Sequence, residues 1–385
     1  MTRTSDRPAK PHAMPTLDSR GTLKMVLDEG GPGMCLFTIT NACNARCRFC
    51  GFSHDLLPRR EWRFLDLTAA RDAIDILYTN GVRYLAIQGG EPTLHADLAE
   101  IIAHAAALDM QPLLVTNGLL LTQERVRQLV AAGVSGFVIS IDAMDVGVHE
   151  ANRGLPGLCA RIRTANQAIV AAGLVSTASV TMSRLVEYEK IPAFLQSLGF
   201  HSVTFSYPLT HLGSSYLSFS DSELVDLNDA ELIDAFEQIK QLKKHFHVLN
   251  SLPSIEEMQR FIRGEKQIYP CLGGFKYFYM DWELLLWRCH YWHEPMCSIY
   301  DFDGSQRVRD GCTKCMIDCF RDSSVLHHIG VTLHDAYRSL QRLEFARTLK
   351  VLLQPNNVGS IRAVLEELPW IIKMNNGRSP HCGPT

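Results

Sequence analysis

A parallel β/α sheet is the fold class that the sequence predicts, and three observations carry it. Six apolar strand-like runs alternate with five helical patterns between residues 34 and about 220. Four of the helical patterns run into a glycine, Gly81, Gly133, Gly173 and Gly199, where a helix C-cap fits. The runs Leu85-Ala86-Ile87 and Phe137-Val138-Ile139 are continuously apolar, as strands covered on both faces must be. This order does not by itself separate an open doubly wound sheet from a barrel.

The strands are predicted at Met34–Thr40, Tyr84–Gln88, Pro112–Thr116, Gly136–Ile141, Leu174–Met182 and Ser202–Tyr207. Helices are predicted at Leu67–Asn80, Ala96–Leu108, Thr122–Ala132, Cys159–Ala172 and Glu187–Leu198. Ahead of them, residues 1–33 read as a flexible tail ending in Gly30-Gly31-Pro32-Gly33. From about Ser220 the pattern changes, with helical stretches at Glu223–His247 and Ile255–Gly264. Pro270–Arg321 is rich in aromatics, glycine and cysteine, and Gly330–Lys350 and Ser360–Ile372 read as closing helices. The organisation is thus a tail (1–33), an α/β domain (34–220), a helical connection (221–265), a small Cys-rich domain (266–325), and C-terminal helices and tail (326–385).

The 385 residues are 46% apolar, as in a soluble globular protein of one large and one smaller domain. A net charge of −3, from 41 acidic and 38 basic residues, offers no basic excess for nucleic acid or an anionic membrane. The first twenty residues lack the apolar centre of a signal peptide, and no run of about 18 apolar residues suggests a membrane span. A cytoplasmic location is expected. In such a reducing compartment twelve cysteines in clusters point to metal rather than disulfides. Cys35, Cys159 and Cys382 stand apart and read as inert thiols.

Cys43, Cys47 and Cys50 have the spacing Cys-x3-Cys-x2-Cys directly after the first strand. Three thiolates on one short loop can hold three irons of a 4Fe–4S cubane and leave the fourth iron open. Zinc competes, but a structural zinc site wants four closed ligands. Phe49 can lie against an adenine ring. Gln88-Gly89-Gly90-Glu91-Pro92 follows the second strand, where two glycines let backbone approach a ligand and Glu91 can accept from an amino group.

The three cysteines with Phe49, followed by Gly89-Gly90-Glu91-Pro92, resemble the radical S-adenosylmethionine (SAM) superfamily. The resemblance covers about residues 34–210 and implies a partial six-stranded (β/α)6 TIM-like barrel with its site at the strand C-termini. It implies that Thr116 and Asn117, after the third strand, and Ser140 and Asp142, at the fourth, contact ribose and methionine. The stretch His149–Gly157, with Arg153, is similar to the loop after strand four in members carrying extra clusters. A 4Fe–4S cluster and SAM are the implied cofactors, and a flavodoxin- or ferredoxin-type protein the implied electron donor.

Cys271 and Cys289 flank an aromatic stretch that reads as a β-hairpin turning near Asp281, and Cys312, Cys315 and Cys319 follow as Cys-x2-Cys-x3-Cys. Four thiolates from a hairpin pair and a Cys-x2-Cys pair can close around a cluster, or around zinc. This region resembles the SPASM domain, or its shorter twitch form. The resemblance implies one auxiliary 4Fe–4S cluster on Cys271, Cys289, Cys312 and Cys315, with Cys319 able to replace one of them. It departs from the family where Leu284 replaces a glycine ahead of the second cysteine. His290, His293, His327 and His328 read as surface or packing residues.

A SAM-dependent oxidoreductase of dehydrogenase type, acting on a small polar metabolite such as a sugar or aminocyclitol, is the function expected. Only 42 residues precede Cys43, fewer than a peptide-leader-binding domain needs. Peptide maturation, epimerisation and elimination of water are the alternatives.

Overall fold

The computed structural model describes residues 19–208 and 222–375. Cys382 and the ends of the chain lie outside the described residues. Six strands, β1 (Gly33–Thr38), β2 (Val82–Gln88), β3 (Gln111–Thr116), β4 (Gly136–Ile141), β5 (Ser176–Thr181) and β6 (Ser202–Ser206), pair in sequence order, all parallel. Each lies within two residues of its predicted bounds. Between them run α2 (Leu67–Thr79), α3 (Leu98–Ala107), α4 (Gln123–Ala131), α6 (Leu158–Ala171) and α7 (Ile191–Ser197), after a first helix α1 (Ser19–Glu29).

The helices begin and end for local reasons. Asp66 caps α2 by accepting from the N–H groups of Thr68 and Ala69, and Thr122 caps α4 through Arg125 N–H at 3.0 Å. Gly81, Gly133, Gly173 and Gly199 all take left-handed φ values just past helix ends. One face of the sheet (Phe37, Leu85, Ile87, Phe137, Ile139) packs with Ile74, Ile102, Leu129 and Ile162 of the helices in a single buried core.

The chain continues through β7 (His247–Val248), beside β6, and then returns to the other edge. There β8 (Tyr277–Met280) pairs parallel to β1, with Met34 opposite Tyr277. Then β9 (Leu285–Trp287) and β10 (Cys297–Ser298) add on antiparallel. The Cys-rich hairpin is therefore continuous with the barrel's sheet, and its aromatics Tyr277, Tyr279 and Trp287 share a buried cluster with Leu36 and Ala86 of the barrel. Among the described residues β7 and β10 are edges, so the barrel is partial.

Four readings are corrected. The tail contains α1, held where the Leu27 carbonyl meets His334 Nδ1 at 2.8 Å. The stretch after strand four is not a loop but α5 (Val146–Arg153), capped by Asp145 and stopped by Gly154 at φ 62°. The helix predicted from Glu223 starts later, as α8 (Asp229–Leu242), because Asn228 and Glu231 form a capping box; α9 (Leu252–Ile262) follows. Gly330 lies inside a long helix, α10 (Asp318–Gln341), which breaks near Leu343 before α11 (Phe345–Leu352) and α12 (Asn356–Asn375). No helix among the described residues is long and apolar enough to cross a membrane.

Candidate functional site

A cavity of about 540 Å³ opens at the C-terminal ends of the parallel strands. Gln88, Thr116, Ser140, Thr181 and Ser206, each at or next to the end of its strand, line it, together with Cys43, Cys47, Cys50 and Phe49. This is where a parallel β/α barrel carries its chemistry.

The cysteine loop is locked to the loop after β2 by backbone bonds. Gly90 N–H donates to the Thr40 carbonyl at 2.9 Å, and Glu91 N–H to the Ala42 carbonyl at 2.7 Å. A Cβ on Gly90 would stand 2.2 Å from the Ala42 oxygen, and one on Gly89 2.3 Å from that of Thr40. Both glycines are therefore required by contact with the cysteine loop as well as by the cavity they line. Further along, Arg46 N–H donates to the Arg153 carbonyl at 2.7 Å, and Asn41 bonds Glu61 and Arg63, closing the loop at its far end.

Of the residues expected at a cofactor, Phe49, Gly89, Gly90, Thr116, Asn117, Ser140 and Arg153 line the cavity. Glu91, Pro92 and Asp142 do not. Glu91 is fully buried, and its carboxylate accepts from Thr93 N (3.0 Å), Thr93 Oγ1 (2.5 Å), Thr116 Oγ1 (2.6 Å) and Asn117 N (2.7 Å). It ties the ends of β2 and β3 together and does not line the cavity. Pro92 opens the short helical turn that Glu91 caps. Asp142 accepts from Asn152 Nδ2 at 2.8 Å and pairs with Arg153 at 2.6 Å. Burial works to raise the Asp142 carboxyl, but the Arg153 guanidinium overrides it and holds the carboxyl below its usual range. The pair is buried, not on the surface, and it leaves Arg153 Nε with no hydrogen-bond partner at the cavity wall.

The second cysteine group gathers at the hairpin. Cys271 and Cys289 are buried, and Cys312, Cys315 and Cys319 pack against the same cluster. Cys271 N–H donates to the Cys312 carbonyl at 2.9 Å. Burial, with Cys315 and Cys271 close by, pushes the Cys289 thiol up to about 12. Cys297 stands apart on β10, packed against the main core. Cys319 alone of the five lines the cavity. Among the described residues no three Cys, His, Asp or Glu side chains gather as tightly as around one ion. Four thiolates on one zinc would stand about 3.8 Å apart, given its usual bond length, whereas those on different irons of a cubane stand further apart.

Leu284, at the family's glycine position, has φ 62°. That is the left-handed conformation which glycine adopts freely. Asp281 builds the turn around it, accepting from Glu283 N and Leu285 N at 3.0 Å and from Trp287 Nε1 at 2.8 Å.

Several cavity residues carried no motif. His290 is buried beside Tyr279 and Phe320 and lines the cavity, so it is neither a surface nor a mere packing residue; His293 is exposed, while His327 and His328 pack against Tyr277 and Tyr269. Asp318 and Asp322 enter from the first turns of α10. Tyr207 Oη donates to Asp322 at 3.1 Å and Asn250 Nδ2 at 2.7 Å.

Fold and site together resemble those of radical SAM proteins, a family that uses a 4Fe–4S cluster and SAM. Residues 37–185 match the Radical SAM superfamily model. It is 31% identical over 178 residues to the AdoMet-dependent heme synthase of Methanosarcina barkeri, covering 46% of this chain and 50% of that protein. It is 31% identical over 149 residues to the PqqA peptide cyclase of Methylocella silvestris, covering 39% of each. The chain thus spans half or less of these relatives. Its fold is similar to that of anSMEcpe with bound AdoMet and Cp18Cys peptide, at a TM-score of 0.52, 13% identity, and 90% and 99% coverage of the two chains.

Proposed function

We propose that the chain is a SAM-dependent oxidoreductase of dehydrogenase type acting on a small polar metabolite. The observation that carries the reading is the shared wall of one cavity, formed by Cys43, Cys47 and Cys50 on one loop and by Gly89 and Gly90 on the loop locked to it. With a 4Fe–4S cluster bound, the site would supply one-electron cleavage of SAM and a 5′-deoxyadenosyl radical that takes a hydrogen atom from substrate.

The chain's own residues hold and orient. Cys43, Cys47 and Cys50 supply three thiolates and leave a fourth iron open. The edges of Gln88, Gly89 and Gly90 offer backbone to the SAM amine, replacing Glu91 in that role. Arg153 Nε, buried and unpartnered at the wall, suits the carboxylate of methionine. Phe49 presents an aromatic face for adenine. Cys271, Cys289, Cys312 and Cys315 would hold the auxiliary cluster, with Cys319 turned toward the cavity between the two groups. A fully ligated cluster there suits electron acceptance, which favours oxidation of the substrate radical. Serine and threonine hydroxyls on the remaining strand ends suit a hydroxylated metabolite.

A peptide substrate is the second reading, favoured by the likeness to a PqqA peptide cyclase. Reconstituted, reduced protein should convert SAM to 5′-deoxyadenosine. Replacing all three of Cys43, Cys47 and Cys50 by Ala should abolish this while the iron bound by the second group remains. Cleavage by the triple variant would sink the assignment.

A further inference from the structure

We propose that the substrate carries a protonated amine, seated on Asp318 and Asp322 of α10, beside the open Nδ1 of His290. This rests on the SAM-enzyme reading above and adds to it the charge of the substrate. Asp318 and Asp322 are four residues apart on one helix, hence on one face, and both line the cavity. His290 lines it too; it is 5% exposed, and its Nδ1 has no hydrogen-bond partner. A buried ring nitrogen left open carries an uncompensated desolvation cost, which a bound polar group would recover.

Among the described residues neither carboxylate has a basic group within 4 Å; Arg321 and Lys243 act on Asp322 only from further off, because each is engaged elsewhere. Arg321 turns to Glu257 at 3.1 Å and to the Cys312 carbonyl. Lys243 donates to the carbonyls of Val248 and Asn250 and lies 3.5 Å from Glu366. Arg153, on the cluster side of the cavity, belongs to Asp142. The third carboxylate on the wall, Glu367, has His247 at 3.4 Å. The N-terminus of α10 offsets about half a charge, and burial raises both carboxyls, a desolvation cost that a bound cation would offset.

Tyr207 and Asn250 fix Asp322 in place from β6 and the segment after β7. A carboxylate held this firmly, with no ion pair within 4 Å, is preorganised for a cation. The hydroxyls of Ser179, Thr181, Thr204 and Ser206 line the same cavity and suit neighbouring hydroxyl groups. Phosphate or carboxylate at this end would meet like charge, so a substrate that is anionic there is disfavoured.

Glucosamine, glucose and glucuronate serve as matched probes on the reconstituted, SAM-loaded enzyme, with binding followed by ligand-observed NMR. Glucosamine should bind at least about tenfold more tightly than glucose, a difference of about 1.4 kcal/mol, and glucuronate more weakly than either. The preference should shrink as salt screens it. Asp322→Asn should remove most of it and Asp322→Glu should restore it. Asp318→Asn, which leaves the side-chain bonds of Tyr207 and Asn250 to Asp322 in place, should lower it independently. Equal or weaker binding of glucosamine by the wild-type enzyme, or no binding of any probe, overturns the proposal. No reductant is used, so this outcome is separate from that of the 5′-deoxyadenosine assay.

Discussion

Glu91→Gln distinguishes a ligand-binding glutamate from one that holds strands together. In the structure one carboxylate oxygen accepts from Thr93 N, Thr93 Oγ1 and Thr116 Oγ1, and the other from Asn117 N. Glutamine keeps the shape but has one acceptor oxygen. Whichever way its amide is turned, a buried backbone N–H of Thr93 or Asn117 faces an NH2 group. That unpaired donor costs about 1–3 kcal/mol, and the remaining bonds lose the assistance of the charge. The sum is about 2–4 kcal/mol. At about 2–4 °C per kcal/mol, the scale for domains of 150–250 residues, this lowers Tm by roughly 5–15 °C. SAM affinity, measured on the reconstituted variant well below its Tm, should change by less than about threefold, under 0.7 kcal/mol. Thermal melts and equilibrium SAM binding read the two quantities separately. An unchanged Tm with a tenfold loss of affinity would refute the reasoning and return Glu91 to the SAM amine.

Two substitutions test the backbone on either side of the cavity. Gly90→Ala places a Cβ 2.2 Å from the Ala42 oxygen, so the cysteine loop must move; iron bound by the first group should fall although all three cysteines remain, and full iron loading would show that the lock is dispensable. Leu284→Ala should destabilise the protein more than Leu284→Gly does, inverting the usual order. A buried Leu→Ala change costs about 2–5 kcal/mol, while glycine at φ 62° recovers about 1–2 kcal/mol of left-handed strain. Denaturant titration that ranks glycine as the worse residue removes strain as the explanation.

The barrel was legible because its signals are local. Continuous apolar runs and helix-ending glycines are read within a few residues, and each of the six strands lies where those signals put it. The misread elements depend on distant partners. The helix at Ser19–Glu29 has little pattern of its own and is held by α10, some 300 residues away, through the Leu27–His334 bond. The start of α10 was masked by its overlap with the Cys-x2-Cys-x3-Cys run, so that Cys319 read as a metal-loop residue instead of part of a first helical turn.

The site divides in the same way, between what backbone demands and what side chains do. Gly89, Gly90 and the three cysteines were legible because each is required by type: no other residue fits 2.2 Å from a carbonyl oxygen, and thiolate is the usual ligand for an iron–sulfur cluster. Glu91 and Asp142 stand in the same motifs, but a motif shows where a carboxylate is needed and not which way it faces. Here both face inward, one tying β2 to β3 and the other holding Arg153, so that on the side of the first cysteine group backbone and guanidinium rather than carboxylate form the cavity wall. Leu284 is the converse case. Its departure from the family's glycine looked like a sign against the auxiliary domain, yet its φ is the one that glycine serves, so the turn has been kept at the cost of strain. The acidic end of the cavity, Asp318, Asp322 and His290, carried no signal because it is assembled from α10 and the hairpin by tertiary structure alone. Substrate specificity would be written there, where neighbours in space are not neighbours in sequence.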